Sequence, residues 1–256
     1  MSPPSLTGPR RLSPLPTAGR RPIRQPNQTL NVTCDTPAKR PWSSAPWNSD
    51  IGWPTGPALV VSPAYRGRMT EILLFHHALG QTPGFLEFAD RWRGAGHTVH
   101  TPDLYEGATF ESVEEGVAHA EGIGFGEIIR RGTAAAASLP ERIVYAGVSL
   151  GVLPAQSLAQ RRPGARGALL LESAVPPESF GGPWPAGVPA QLHAMADDEL
   201  AEVPVMREVA GQIDAAELFL YPGGGHLFTD RGTKAYDEAA TTLLLRRTLD
   251  FLDRVG

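Results

Sequence analysis

From Met69 to Gly256 the chain alternates short β-rich apolar runs with helical or loop stretches, and this alternation constrains the fold more than any other feature. The runs are Ile72–Phe75, His97–His100, Ile143–Ala146, Ala168–Leu171, Ala190–His193 and Leu218–Tyr221. Near-continuous apolar runs joined by long crossovers describe strands covered on both faces, so the reading is α/β: a mostly parallel sheet with helices on both faces. Phe85, Phe88, Ala89 and Trp92 fall at i, i+3, i+4 and i+7, with Glu87, Asp90 and Arg91 opposite, which predicts a helix packed on the sheet. Leu245, Leu249 and Leu252, flanked by Leu244 and Phe251, predict that the chain ends in a docked helix. These 188 residues can bury around 70% of their unfolded surface in one core.

Composition changes before this region. Residues 1–66 hold 13 of the 25 prolines and 8 Lys/Arg against 2 Asp/Glu, leaving 15 against 25 for the remainder. Such a segment buries too little apolar surface to offset chain entropy, so residues 1–68 are read as a disordered Pro/Arg-rich extension and 69–256 as the folded domain. No apolar h-region follows the Arg10–Arg11 or Arg20–Arg21 pairs, which argues against an export signal and for a cytoplasmic protein. The strand-like run directly after Met69 makes that residue a candidate natural start, testable by mass spectrometry of the native N-terminus. The sequons at Asn27 and Asn31 are short patterns of low specificity. One cysteine, Cys34, can form neither an internal disulfide nor a zinc site and is read as a free thiol without function. No apolar run approaches the roughly 20 residues that span a bilayer, and the acidic balance of 69–256 gives no basic face for nucleic acid.

Gly147-Val148-Ser149-Leu150-Gly151 fits G-x-S-x-G, in which small residues on both sides of a serine allow a sharp strand-to-helix turn that exposes the hydroxyl. With 28 glycines and 13 serines, chance supplies roughly 0.16 matches per such chain, so context has to carry the weight. Arg142–Ala146 reads as a strand just before the motif, and Val152, Leu153, Ala155, Leu158 and Ala159 as a helix face just after it; Pro154 is tolerable in that helix's first turn. A serine nucleophile needs a histidine base oriented by a carboxylate. His226 follows a strand and a glycine-rich turn, Tyr221-Pro222-Gly223-Gly224-Gly225, and the preceding strand ends at Asp197, Asp198 and Glu199, among which spacing does not choose. The order Ser, acid, His is that of α/β-hydrolases. The oxyanion donors are the amides of Leu150, which follows the nucleophile, and Ala78, in the loop after the first strand. His76 and His77 lack a carboxylate or cysteine at ligand spacing, so no metal site is assigned.

These residues resemble the dienelactone hydrolase family of α/β-hydrolases over essentially all of 69–256. His76-His77-Ala78-Leu79-Gly80, followed by Phe88-Ala89-Asp90-Arg91, is similar to its oxyanion-loop region. Thr101-Pro102-Asp103-Leu104-Tyr105 is similar to its Pro-Asp-Leu-Tyr segment, and Tyr221–Phe228 to its Tyr-Pro-Gly-x-x-His-x-Phe segment. The resemblance implies an α/β-hydrolase fold with Ser149 as nucleophile, His226 as base and Asp198 as acid, Met195 standing in the glycine place of Gly-x-x-Asp and Asp197 the fallback. It implies that Tyr105 lines the site; apart from the resemblance, His77 in the oxyanion loop and Trp184 in Phe180–Pro185 are read as further substrate contacts. Two departures matter: the name-giving enzymes carry Cys at the nucleophile and Glu in the oxyanion loop, where this chain has Ser149 and His77. The expected activity is therefore hydrolysis of a small carboxylic ester or lactone through an acyl-enzyme, without a cofactor, by a monomer or homodimer. A thioesterase, dehalogenase or peptidase on the same scaffold and a non-catalytic ligand-binding protein are the rivals, separated by a substrate panel and by a serine-directed probe. Glu172, just past a strand, is read as a solvated strand-end charge, and Trp184 equally as a lid over the core.

Overall fold

The computed structural model describes residues 68–256; all but the last residue of the extension read as disordered, with Cys34 and both sequons, lies outside the described residues. The elements run β1 (Glu71–Phe75), α1 (Pro83–Gly94), β2 (Thr98–His100), α2 (Val113–Ile123), α3 (Phe125–Ala136) and β3 (Val144–Val148). A 3-10 turn at Ser149–Gly151 leads into α4 (Val152–Arg161), then β4 (Gly167–Leu171), β5 (Ala190–Met195), α5 (Val203–Gly211), β6 (Ala216–Tyr221) and α6 (Glu238–Val255). All neighbouring strands pair in parallel, in the order β2-β1-β3-β4-β5-β6.

Strand residues divide strictly by parity. Leu73, Phe75, Tyr145, Leu170 and Leu192 face one core with side chains of α2, α3, α4 and α5, whereas Ile72, Leu74, Val144, Ala146 and Leu169 face another with α1 and α6. Both faces are covered, which is why these strands read as unbroken apolar runs. α1 begins at Pro83, its N-terminus capped by the Thr82 hydroxyl accepting the Phe85 N–H, and it buries the expected Phe85, Phe88, Ala89 and Trp92. α6 docks as expected, but its seam is rotated: Leu244, Thr248, Phe251 and Leu252 are buried, while Leu245 and Leu249 are only half-buried. The polar residue lies in the seam because the Trp92 indole N–H donates to the Thr248 hydroxyl at 3.0 Å. Among the described residues no helix is long and apolar enough to cross a membrane.

The topology creates the site. The chain leaves β1 for the edge strand β2 and then returns to β3 on β1's other side, so the loops after β1 and β3 diverge and open a crevice at the carboxyl edge. Phe75, the last residue of β1, pairs with Gly147, two residues before Ser149. At the other end Met195 pairs with Tyr221, so β5 and β6 release the acid-bearing and His226-bearing loops side by side.

Candidate active site

Ser149 stands at the turn between β3 and α4 with φ +51, a left-handed conformation costly for a residue with a side chain. Both motif glycines are demanded by contact. A Cβ on Gly147 would lie 2.2 Å from the Gly151 carbonyl oxygen, and one on Gly151 would lie 2.3 Å from the carbonyl oxygen of Phe75. The elbow is thus pressed against itself and the end of β1, and Pro154 falls within the first turn of α4, where a missing N–H is harmless.

The Ser149 Oγ and His226 Nε2 are 2.8 Å apart, and His226 Nδ1 lies 2.8 Å from Asp198 Oδ2. Asp198 is buried, and its Oδ1 accepts the N–H groups of Leu200 and Ala201 at 3.0 and 3.2 Å. Asp197 is exposed: its N–H donates to the Gly223 carbonyl, prolonging the β5–β6 ladder by one step and turning its side chain outward. Gly223 adopts φ +115 to make that step, the backbone demand implied by the glycine run. Burial opposes protonation of His226, but the Asp198 hydrogen bond and the charges of Glu172 and Asp198 outweigh it and raise its pKa.

The loop after β1 is held from three sides. The His76 ring uses both nitrogens, Nδ1 toward the His77 carbonyl (2.8 Å) and Nε2 accepting the Leu104 N–H (3.0 Å), and burial lowers its pKa to about 4, so it stays neutral. His77 Nδ1 accepts the Leu79 N–H, so its Nε2–H donates to Asp230 Oδ2 at 2.9 Å. Asp230 also takes the Thr82 hydroxyl and the Gly232 N–H; burial would raise its pKa, yet these hydrogen bonds hold it below the ordinary value. On the third side a Cβ on Gly116 of α2 would lie 2.0 Å from the Ala78 carbonyl oxygen, so the helix backbone seats directly on the Ala78 residue. Among the described residues neither the Ala78 nor the Leu150 amide is spent on a turn or loop hydrogen bond.

The three residues expected at the substrate are all buried. His77 is 1% exposed with both ring nitrogens engaged, so it braces the loop from behind. Tyr105 is buried edge-on against His76, its hydroxyl donates to the Gly116 carbonyl, and burial pushes its pKa up to about 12. Trp184 is buried in the core cluster that contains Leu150 and Ala174, its indole N–H on the Val188 carbonyl at 2.7 Å. Glu172 departs from expectation, for it is fully buried rather than solvated, because the Leu227 N–H and Thr229 hydroxyl solvate its carboxyl in place of water. Asp230 and Gly116 carried no signal in the sequence, since neither sits in a recognisable motif.

A parallel sheet with helices on both faces, carrying a strand-turn-helix serine at its carboxyl edge, defines an α/β-hydrolase. The family model for the dienelactone hydrolase family matches residues 57–256, and the chain belongs to that family. No curated protein matches its sequence. Solved structures share the fold at low identity. A dienelactone hydrolase from Anabaena variabilis is 19% identical, with 72% of this chain and 85% of that one covered and a TM-score of 0.54. A dienelactone hydrolase-like promiscuous phosphotriesterase from metagenomic libraries is 16% identical (74% and 87% covered, TM-score 0.56). Mouse alpha/beta hydrolase domain-containing protein 10 is 15% identical (75% and 92% covered, TM-score 0.57).

Proposed function

We propose that residues 69–256 form a serine hydrolase that cleaves a small carboxylic ester or lactone through an acyl-enzyme. The observation that carries this reading is the unbroken relay from Ser149 through His226 to Asp198, two 2.8 Å contacts joining three loops of one sheet edge. Ser149 Oγ attacks the carbonyl carbon as its proton passes to His226 Nε2, and Asp198 holds the resulting imidazolium. The tetrahedral oxyanion is received by the Ala78 and Leu150 amides. On collapse the leaving alkoxide takes the proton from His226; water then attacks the acyl-enzyme and loses a proton to His226, and the second tetrahedral species expels Ser149 Oγ, which takes that proton back as the acid product leaves.

His77 and Tyr105 serve this chemistry by holding the Ala78 loop. Ser149 in place of the family's Cys, with His77 where the family has Glu, favours a general ester hydrolase over one dedicated to dienelactone.

The test is intact-mass and peptide mapping after incubation with a fluorophosphonate probe. A single adduct on Ser149, absent in Ser149→Ala and in His226→Ala, is the expected result, and Ser149→Ala should lose about 10⁴-fold or more in kcat/KM on a responsive ester. No adduct in the folded wild-type protein would favour a ligand-binding role, and a panel of esters, thioesters and peptides would separate the hydrolytic alternatives.

A further inference from the structure

We infer that Glu172 is a second carboxylate of the proposed site, a positioning residue that acts on hydrolysis through His226. The inference rests on the triad reading above and concerns a residue outside the triad.

Glu172 follows β4, the strand between the nucleophile strand β3 and the acid strand β5. It is 0% exposed, has φ +63, and its N–H donates to the His193 carbonyl at 2.6 Å. One carboxyl oxygen accepts the Leu227 N–H at 2.9 Å and the other the Thr229 hydroxyl at 3.3 Å. Leu227 directly follows His226 and is itself left-handed, at φ +64. Two strained residues from loops 55 positions apart therefore meet at one carboxyl group, which fixes the backbone that carries the base.

The charge of Glu172 has a function that its hydrogen bonds alone do not supply. The charged groups acting on it are His226, which favours the carboxylate, and Asp198, which opposes it; Leu227 and Thr229 add hydrogen bonds. Burial prevails and raises its pKa to about 7. Among the described residues no Lys or Arg acts on this buried carboxylate, and its countercharge is the imidazolium that His226 becomes each time it takes the Ser149 proton. Asp198 orients the imidazole by direct contact, and Glu172 favours its protonated form through space, in a setting screened from water. Glu172 and the imidazole then titrate as a coupled pair rather than as two independent groups.

Glu172→Gln removes the charge while keeping an acceptor for the Leu227 N–H and an amide that can meet the Thr229 hydroxyl. Two readouts are followed against pH: the rate of Ser149 labelling by the fluorophosphonate, and the His226 ring carbon–proton signal by NMR, which needs no turnover. In Glu172→Gln the His226 midpoint and the acid limb of labelling should both move down by about 0.5–1 pH unit, and the plateau rate should fall about 3–10-fold. Thr229→Val, which keeps the carboxyl but removes a hydrogen bond favouring its ionised form, should move both the same way by less and gives a reading if Glu172→Gln does not fold. An unmoved His226 midpoint in the folded Gln variant, or in Thr229→Val alone where the Gln variant is lost, overturns the role of Glu172. Absence of labelling in wild type, with the midpoint shifted in the variant, overturns the hydrolase reading and leaves the electrostatic coupling standing.

Discussion

At the scale of residues, the choice between Asp197 and Asp198 shows how one step of backbone decides chemistry. Asp197 spends its N–H on Gly223 and turns its carboxylate to water, so Asp198, next in line, turns inward onto His226. Asp198→Asn should lower kcat/KM by up to about 10⁴-fold, because an amide neither holds the imidazole tautomer nor stabilises the imidazolium. Asp197→Asn should stay within about twofold of wild type, as expected for an exposed group. Parallel steady-state kinetics on the two variants check this, and the reverse ranking would transfer the acid to Asp197. His77 teaches a related point: a polar residue beside the proposed oxyanion donor reads in the sequence as a substrate contact, and in the structure both of its ring nitrogens are engaged, by Leu79 and Asp230.

At the scale of elements, the loop bearing Ala78 is rigid because α2, Tyr105 and the Asp230 segment all press on it. α2 was not legible in advance, since a segment rich in glycine and alanine buries only Gly116 and Ala120 and shows a faint apolar stripe. Its glycine is nonetheless specific, for a methyl group at residue 116 would overlap the Ala78 carbonyl. Gly116→Ala should push the loop aside, lowering kcat about 10–100-fold with KM little changed, while circular dichroism shows the fold retained; unchanged kcat would mean that Ala78 is not an oxyanion donor. α1 was legible because its apolar positions repeat every three and four residues, whereas the seam of α6 was misjudged by one position because Trp92, 156 residues away, selects Thr248 as its partner.

At the scale of the whole molecule, burying neutral imidazoles sets the acid limit of the fold. Burial lowers the pKa of His76 to about 4; burial first and then the Arg247 charge lower that of His193 to about 3. Both are unprotonated in the folded state at pH values where the unfolded chain, with pKa about 6.5, takes up protons, so stability is lost as pH falls below about 6.5 toward these folded values. Glu172 works in the opposite sense between about 4.5 and 7, because the folded state holds a proton that the unfolded state releases. Two histidines outweigh one carboxyl between about 4.5 and 6.5, and Tm should decline from pH 6.5 to 4.5 in thermal scans. Glu172→Gln should steepen that decline, and a flat Tm across the interval would contradict the neutral burial of the histidines.

The primary sequence by itself determined the α/β alternation, the sharp turn around Ser149 and the order of serine, acid and histidine along the chain. These features are local: apolar periodicity, the steric need for glycine on both sides of a strained serine, and strand-to-loop transitions act within a few residues. Tertiary structure alone decided which aspartate meets His226, that Glu172 is buried beside it, and that His77 is bound to Asp230 at a separation of 153 residues. The physical reason is common to all three. A polar group is drawn inward only when another loop brings it a hydrogen-bond partner, and those partners become neighbours only after the parallel sheet has set its carboxyl ends side by side.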